Sequence, residues 1–161
     1  MEGPVTRFHE EQRFHGAMLS LLLAVVAFAV LVALAAAIIS RPDELVLLMV
    51  APLVVVVIAL LISTSHLEVD VADDGVTIAF RYLWPTRHIS FADIVGLEVK
   101  RYRPLLDYGG WGVRLGMGGW AYTTGGNEGV KLRLRRGIPV LIGSERSREL
   151  EAAIRAGMEA G

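Results

Sequence analysis

The sequence predicts a transmembrane α-helical hairpin followed by one small α+β domain, mostly antiparallel β, that ends in a capping helix. Three observations carry this prediction. Two long uncharged runs lie near the start of the 161-residue chain, the apolar period then changes to two, and apolar residues recur at helical spacing at the end. The chain is therefore divided into residues 1–16, 17–63 and 64–161.

The two uncharged runs are long enough to cross a bilayer. Residues 17–39 reach about 34 Å at ~1.5 Å per residue, and a hydrocarbon core is ~30 Å thick. Residues 45–62 form the second run, and only residues 40–44 separate the two, so antiparallel neighbours are expected. A cleaved signal peptide is the alternative, but its apolar core is shorter and follows a clearly basic segment. Residues 1–16 are balanced in charge.

Charges around the runs predict the orientation. Arg7 and Arg13 precede the first run, whereas the loop carries Arg41 beside Asp43 and Glu44. The positive-inside bias then favours both termini in the cytoplasm. The excess of arginine over lysine, 14 to 2, hints at a GC-rich bacterial coding sequence, so the expected location is the bacterial plasma membrane. Neither run holds an ionisable side chain, which argues against a transporter or pump.

The segment before the first run has two interpretations. Residues 5–15 can form a short interfacial helix, in which Arg7 with Glu11 and Glu10 with Arg13 are spaced to pair. The alternative is a polar lead-in without regular structure.

After residue 66 the pattern is that of short strands. Residues 67–71 and 76–80 alternate around an Asp73-Asp74-Gly75 turn, which predicts a β-hairpin. Trp84-Pro85 is expected to break the chain, and residues 87–91 to resume the strand.

The rest of the domain continues this pattern and then changes period. Further strands are expected at residues 95–99, 130–134 and 139–142, about seven in all. Ser144 is a favourable N-cap, and a final helix is indicated by the spacing of Leu150, Ala153, Ile154 and Met158. So few antiparallel strands are expected to close into a bent sheet or small barrel, plugged by that helix.

The strand pattern, the Phe91–Val95 step into a strand and the Val140–Glu145 strand end before the helix resemble bacterial PH-like domains. Three further pieces look like the signature of one group of these domains: Tyr108–Gly112, Gly119–Tyr122 and Gly126–Val130. The resemblance covers about residues 64–157. It implies a PH-like fold in an uncharacterised family of membrane proteins with two N-terminal spans. It implies little about function, because one fold hosts many functions.

The Gly/aromatic segment, residues 108–122, is the main candidate site. It contains six glycines in fifteen residues, which is a weak composition for a strand. One interpretation is a bulged hairpin whose aromatic side chains fill the barrel. The other is a partner or ligand site, for which the candidate residues are Tyr108, Trp111, Arg114, Trp120 and Tyr122.

A basic stripe is the second candidate. Lys131, Arg133, Arg135 and Arg136 make a basic stripe on one predicted strand face, which can contact anionic lipid. The alternative is a solvated outer face with Glu98 as a cross-strand partner. PH domains that bind phosphoinositides use basic residues around the first hairpin loop, but here that loop is acidic.

The sequence contains few signals of a catalytic or cofactor-binding site. The chain has no cysteine, and its four histidines include no pair at HExxH spacing. No catalytic residue, metal or cofactor is therefore expected, and a net charge of −1 gives no indication of a nucleic-acid partner. The sequence favours a non-enzymatic interaction or scaffolding module at the inner membrane surface, whose partners are the bilayer and a protein or second copy. The alternatives are a domain that binds anionic lipid and an enzyme whose site is assembled by the fold.

Overall fold

The computed structural model describes residues 6–14, 17–39 and 45–160. The chain forms two compact units. One comprises Phe14–Ser65, and the other combines Met1–Arg13 with His66–Gly161.

The first unit is helical. Helix α1 spans Ala17–Ile39 and α2 spans Leu45–Thr64, two residues beyond the predicted end, and the two helices contact each other. Apolar side chains on both are exposed, for example Phe28 at 69% and Leu53 at 62%. Within the described residues one helical stretch, Ser20–Ile38, is long and apolar enough to cross a membrane, while Pro52–Thr64 is a shorter apolar stretch.

Among the described residues the second unit contains two sheets, two α-helices and a short 3-10 turn at Phe91–Asp93. Its nine strands are β1 (Phe8–Arg13), β2 (His66–Val71), β3 (Gly75–Phe80), β4 (Trp84–Ser90), β5 (Ile94–Arg101), β6 (Gly112–Gly116), β7 (Gly119–Thr123), β8 (Glu128–Leu134) and β9 (Val140–Gly143). Its helices are α3 (Pro104–Tyr108) and α4 (Ser147–Ala160). The first sheet has the order β1-β2-β3-β4, and the second has the order β5-β8-β9-β7-β6.

Strand β1 corrects the expectation for the N-terminal segment. Residues 8–13 are neither helical nor irregular, because they pair antiparallel with β2, with Phe8 opposite Val71 and Arg13 opposite His66. Residues 5 and 15, the ends of the expected helix, lie outside the described residues. The strand is favoured over the helix because it buries the alternate side chains of Phe8, Glu10 and Gln12.

Strands β2 and β3 form the expected hairpin, but the next two strands differ in detail. Strand β4 begins at Trp84 and includes Pro85, so the break falls at residues 81–83 instead. Proline is tolerated there because β4 is an edge strand. In β5 a register shift after Ile94 buries that residue and leaves Val95 54% exposed, although Val95 was expected on the inner face.

The remaining elements largely follow the sequence pattern. Strands β8 and β9 are antiparallel, but β9 runs parallel to β7, so the second sheet is mixed. In α4 the side chains of Leu150 and Ile154 are fully buried, as expected for a capping helix. The Ser144 hydroxyl accepts a hydrogen bond from the Arg146 N–H at 3.0 Å, which caps the turn that leads into α4.

Candidate functional site

The Gly/aromatic segment folds into helix α3 and the β6–β7 hairpin. Proline at the first position starts α3, and Gly109, with φ of 72°, ends it in a left-handed conformation. In the hairpin Gly112 lies opposite Thr123, Leu115 opposite Trp120 and Gly116 opposite Gly119. A two-residue turn, Met117-Gly118, joins the strands.

Tyr108 is buried on one face of the second sheet. It belongs to a small apolar cluster with Tyr102, Ala121 and Leu141, and its ring meets that of Tyr102 edge-on at 6.2 Å between centroids. Burial raises the pKa of Tyr102 to about 12 and raises the pKa of Tyr108, to which the Asp107 charge also contributes. These phenols therefore stay neutral at physiological pH and serve in packing.

Tyr122 and Trp120 occupy the opposite face. Successive side chains in a strand point to opposite faces, so Tyr122 and Trp120 lie together while Ala121 lies on the Tyr108 side. Tyr122 is 2% exposed, whereas Trp120 is half-buried and its ring contacts that of Trp84 at 6.0 Å between centroids.

Trp111 and Arg114 lie at the start of β6. Trp111 is half-buried, and its ring N–H is buried with no hydrogen-bond acceptor within the described part of the chain. Arg114 is exposed, and its Nε donates to the Trp111 carbonyl at 3.1 Å. The carbonyl of Trp111 is therefore satisfied locally, while its indole N–H is buried without an acceptor in the described part of the chain.

Close packing explains part of the glycine content. A Cβ at Gly116 would overlap the backbone of Asp107 and the Tyr108 ring, and one at Gly118 would overlap the Tyr108 hydroxyl. These two glycines let α3 lie directly on the hairpin. Glycine content alone therefore does not indicate a ligand site in this segment.

The five candidate partner residues thus do not form one surface. Tyr108 and Tyr122 are buried on opposite faces, Trp111 and Trp120 are half-buried, and Arg114 is exposed. What the segment does present is an edge: β6 is the last strand of its sheet and has only β7 as a strand neighbour among the described residues. Leu115 on this edge is 58% exposed, and the sequence analysis missed it because apolar residues in an alternating strand are expected to point inward.

The basic stripe lies on β8 and the turn after it. Arg133, Arg135 and Arg136 are exposed, Lys131 is half-buried, and no carboxylate in the described ranges lies within ion-pair distance of the four. Glu98 is directly opposite Lys131, as expected, but the two do not form an ion pair. The Arg133 guanidinium lies over Gly96 of β5 instead.

A buried polar network around β1 was not foreseen. The Glu10 carboxylate accepts hydrogen bonds from the Ser144 hydroxyl at 2.6 Å and the Glu145 N–H at 3.0 Å. The Gln12 amide donates to the Gly143 carbonyl at 2.8 Å and accepts from the Thr124 hydroxyl at 3.1 Å. No local pattern signals this network, because its partners lie more than a hundred residues away in sequence.

Metal chemistry has no evident site. Within residues 6–14, 17–39 and 45–160, no group of three or more His, Asp and Glu side chains is placed to hold a metal ion.

Comparison with known proteins adds no relative. No protein-family model matches the chain, and no curated protein matches it either.

Proposed function

We propose that the protein is a non-enzymatic interaction module anchored in the bacterial plasma membrane by a two-span helical hairpin. Its PH-like domain lies at the inner membrane surface, and both termini are cytoplasmic. An extended segment of a partner protein adds to the domain at the open edge of β6.

The point where the chain leaves and re-enters the β-rich unit supports the membrane anchor. The chain leaves the β-rich unit after Arg13 and re-enters it at His66, and these two residues face each other in the β1–β2 ladder. A segment that leaves and returns at the same point crosses a bilayer an even number of times. Helices of 23 and 20 residues reach about 34 and 30 Å at ~1.5 Å per residue, which suits one crossing each.

The exposed apolar side chains of α1 and α2 support a lipid environment. Contiguous apolar surface of this extent is rare on soluble proteins, because water contact with it is unfavourable. The arginines before α1 favour a cytoplasmic position for the β-rich unit, by the positive-inside bias.

The β6 edge supports the interaction part of the proposal. An unpaired edge strand offers a row of backbone donors and acceptors that an extended peptide can pair with. The exposed side chains of Arg114 and Leu115 can add side-chain selectivity. We infer binding because the aromatic residues of this segment either pack in the domain or lie at a sheet edge.

The anchor can be tested by reporter fusions and extraction. A reporter active only outside the membrane should be silent when fused at Gly161 and active when inserted between Arg41 and Pro42. The full chain should stay in the membrane pellet after carbonate washing. A silent loop reporter, or release by carbonate, would contradict the two-span anchor.

The partner site can be tested by site-specific photocrosslinking in native membranes. A photoreactive residue in place of Leu115 should capture a defined product, whereas one in place of Val95, a similarly exposed residue on the β5 edge, should not. A second variant carries the photoreactive residue in place of Arg114 and also the substitution Leu115→Pro. Capture should be lost in this variant. Equal capture from both edges would reject β6 as the specific site.

The basic stripe favours a second function, binding of anionic lipid. Four cations without a carboxylate partner are available for lipid phosphates, each contributing ~1 kcal/mol near an anionic surface. The full chain reconstituted in anionic vesicles should then show slower solvent exchange of β8 amides than in neutral vesicles, and salt should remove the difference. Identical exchange in both vesicles would leave the stripe a solvated face.

A further inference from the structure

The turn between β3 and β4 carries three consecutive exposed apolar or aromatic side chains. Tyr82, Leu83 and Trp84 are 75%, 40% and 47% exposed. We call these residues the aromatic turn. Exposed residues of this kind rarely occur consecutively without a contact surface.

The aromatic turn lies beside the point where the chain enters the domain from α2. The Arg81 N–H donates to the His66 carbonyl at 3.0 Å, and the Tyr82 ring meets the His66 imidazole edge-on at 6.2 Å. His66 is two residues after Thr64, the last residue of α2, and two residues span about 7 Å at most. The turn is therefore tethered within about 10 Å of the end of that helix.

The backbone of the turn indicates that Tyr82 is not there for local stability. Its φ is 67°, and it is the only residue other than glycine with a positive φ in the described part of the chain. Glycine or asparagine occupies this left-handed conformation at lower cost than tyrosine. A strained aromatic residue that is three-quarters exposed points to a contact outside the domain.

The two ends of strand β3 differ in chemistry. The end that carries the aromatic turn has three exposed apolar or aromatic side chains beside the Arg81–Glu68 ion pair. The turn before β3 carries the exposed Asp73 and Asp74, of which Asp73 pairs with Arg7. Anionic lipid headgroups repel such carboxylates. The charge distribution thus favours the aromatic end, and not the acidic end, as the one that faces a membrane.

The apolar surface also continues beyond the turn. The Trp84 ring contacts the Trp120 ring, so the aromatic side chains continue from the turn to β7. Tryptophan and tyrosine are the residues that concentrate at membrane–water interfaces, because each combines an apolar ring with a polar group.

We propose that the aromatic turn inserts into the interfacial layer of the bilayer and fixes the orientation of the domain on the membrane. The occupant of this surface is lipid. The proposal deepens the proposed function and rests on its membrane anchor, because the tether at His66 is what brings the turn to the lipid.

The absence of cysteine from the chain allows a direct test by spin labelling. The full chain is reconstituted in phospholipid vesicles with one cysteine for a nitroxide label, introduced as Leu83→Cys, Asp74→Cys or Leu31→Cys. Leu31 lies within α1 and is 64% exposed, and Asp74 lies at the other end of β3. Relaxation by lipid-soluble oxygen is compared with relaxation by a water-soluble nickel chelate.

We expect the label at position 83 to be relaxed more by oxygen than by nickel, as at position 31, and the label at position 74 to be relaxed by nickel. If position 31 reports lipid but position 83 reports water, the membrane anchor stands and the aromatic turn proposal is overturned. If position 83 is shielded from both agents, a protein contact replaces lipid and the proposal is again overturned. If position 31 itself reports water, the proposed anchor fails.

A second variant separates membrane contact from folding. Tyr82→Asn relieves the backbone strain, so the domain should melt at the same or a higher temperature, followed through near-ultraviolet circular dichroism of the three tryptophans, all of which lie in the domain. Combined with Leu83→Cys, it should shift the label towards nickel accessibility. A lower melting temperature with unchanged lipid exposure at position 83 would assign Tyr82 to packing and overturn its role at the membrane.

Discussion

Strands β1 and β6 are both edge strands, but their residues are used in opposite ways. Strand β1 closes the first sheet and directs the polar groups of Glu10 and Gln12 into buried hydrogen bonds with residues before α4 and after β7. Strand β6 closes the second sheet and exposes Arg114 and Leu115.

The difference shows that an edge is not open by position alone. Strand β1 is held in place because Glu10 and Gln12 make specific buried hydrogen bonds. Breaking such bonds costs free energy of unfolding, and another segment would not reproduce them. In the described part of the chain the side chains of β6 make no buried hydrogen bonds of this kind, and we propose that this edge is the one that accepts a partner. The predictions below test this contrast, beginning with the largest expected effect.

Removal of β1 should abolish the fold of the β-rich unit. A chain that begins at Thr64 exposes the β2 edge and leaves the partners of Glu10 and Gln12 unsatisfied, so we expect aggregation and loss of near-ultraviolet circular dichroism. The matched control replaces residues 14–65 with a short flexible Gly-rich linker between Arg13 and His66, which face each other in the β1–β2 ladder. This control should be soluble and folded, and a well-folded chain from Thr64 onward would show that β1 is dispensable.

Loss of the Glu10 carboxylate should destabilise the unit by about 1–3 kcal/mol, because the Ser144 hydroxyl and the Glu145 N–H lose their acceptor. The measurement is chemical unfolding of Glu10→Ala by tryptophan fluorescence. Glu11→Ala is the control, since Glu11 is on the exposed side of the same strand and pairs with Arg13. Equal effects of the two substitutions would show that the buried contacts of β1 contribute no more than its surface.

Leu115→Pro should cost less than about 1 kcal/mol in stability while it removes partner capture. Along an antiparallel strand, every second residue points its N–H away from the neighbouring strand. Gly116 and Gly119 form the pair that closes the β6–β7 hairpin, so the N–H of Leu115 points away from β7. Arg114→Pro is the control, because its N–H faces β7 and its loss should lower the melting temperature clearly. If both proline substitutions lower the melting temperature equally, the N–H of Leu115 is needed within the domain and the β6 edge is not open to a partner.

The smallest expected effect is a pH dependence of β1 docking. His9 lies opposite Asp70, and their hydrogen bond at 2.6 Å, followed by the charges of Asp70 and nearby acids, raises the pKa of His9 above 6.5. A raised histidine pKa stabilises the folded state below pH 6.5, and this contribution is lost as the pH rises through the higher folded value. Melting temperatures of the native chain and His9→Gln should therefore differ at about pH 5.5 and converge near pH 8.5; a constant difference would exclude the linkage.

Much of the β-rich unit could be predicted from local pattern. Alternation of apolar and polar residues located β2, β3 and β8, and helical spacing located α4, because in each case the buried face is apolar. The two helices before the domain were evident from their composition, with α2 two residues longer than expected.

Other features could not be predicted in this way. The strand β1 has glutamate and glutamine on its buried face, which a hydrophobic pattern interprets as polar. The exposure of Val95 depends on a register shift in β5, and the exposure of Leu115 depends on its strand being the last in a sheet. Strand order and register are properties of the whole sheet.

The sequence by itself determined where the chain is apolar, where its period changes and where its last helix lies, since these follow from the side chains of consecutive residues. The tertiary structure decided that residues 8–13 join a sheet formed by residues 66–90, that Tyr108 and Tyr122 lie on opposite faces of the second sheet, and that β6 is left at its edge. The physical reason is the same in each case. Buried polar groups and sheet edges are satisfied by partners distant in the chain, and only the fold brings those partners together.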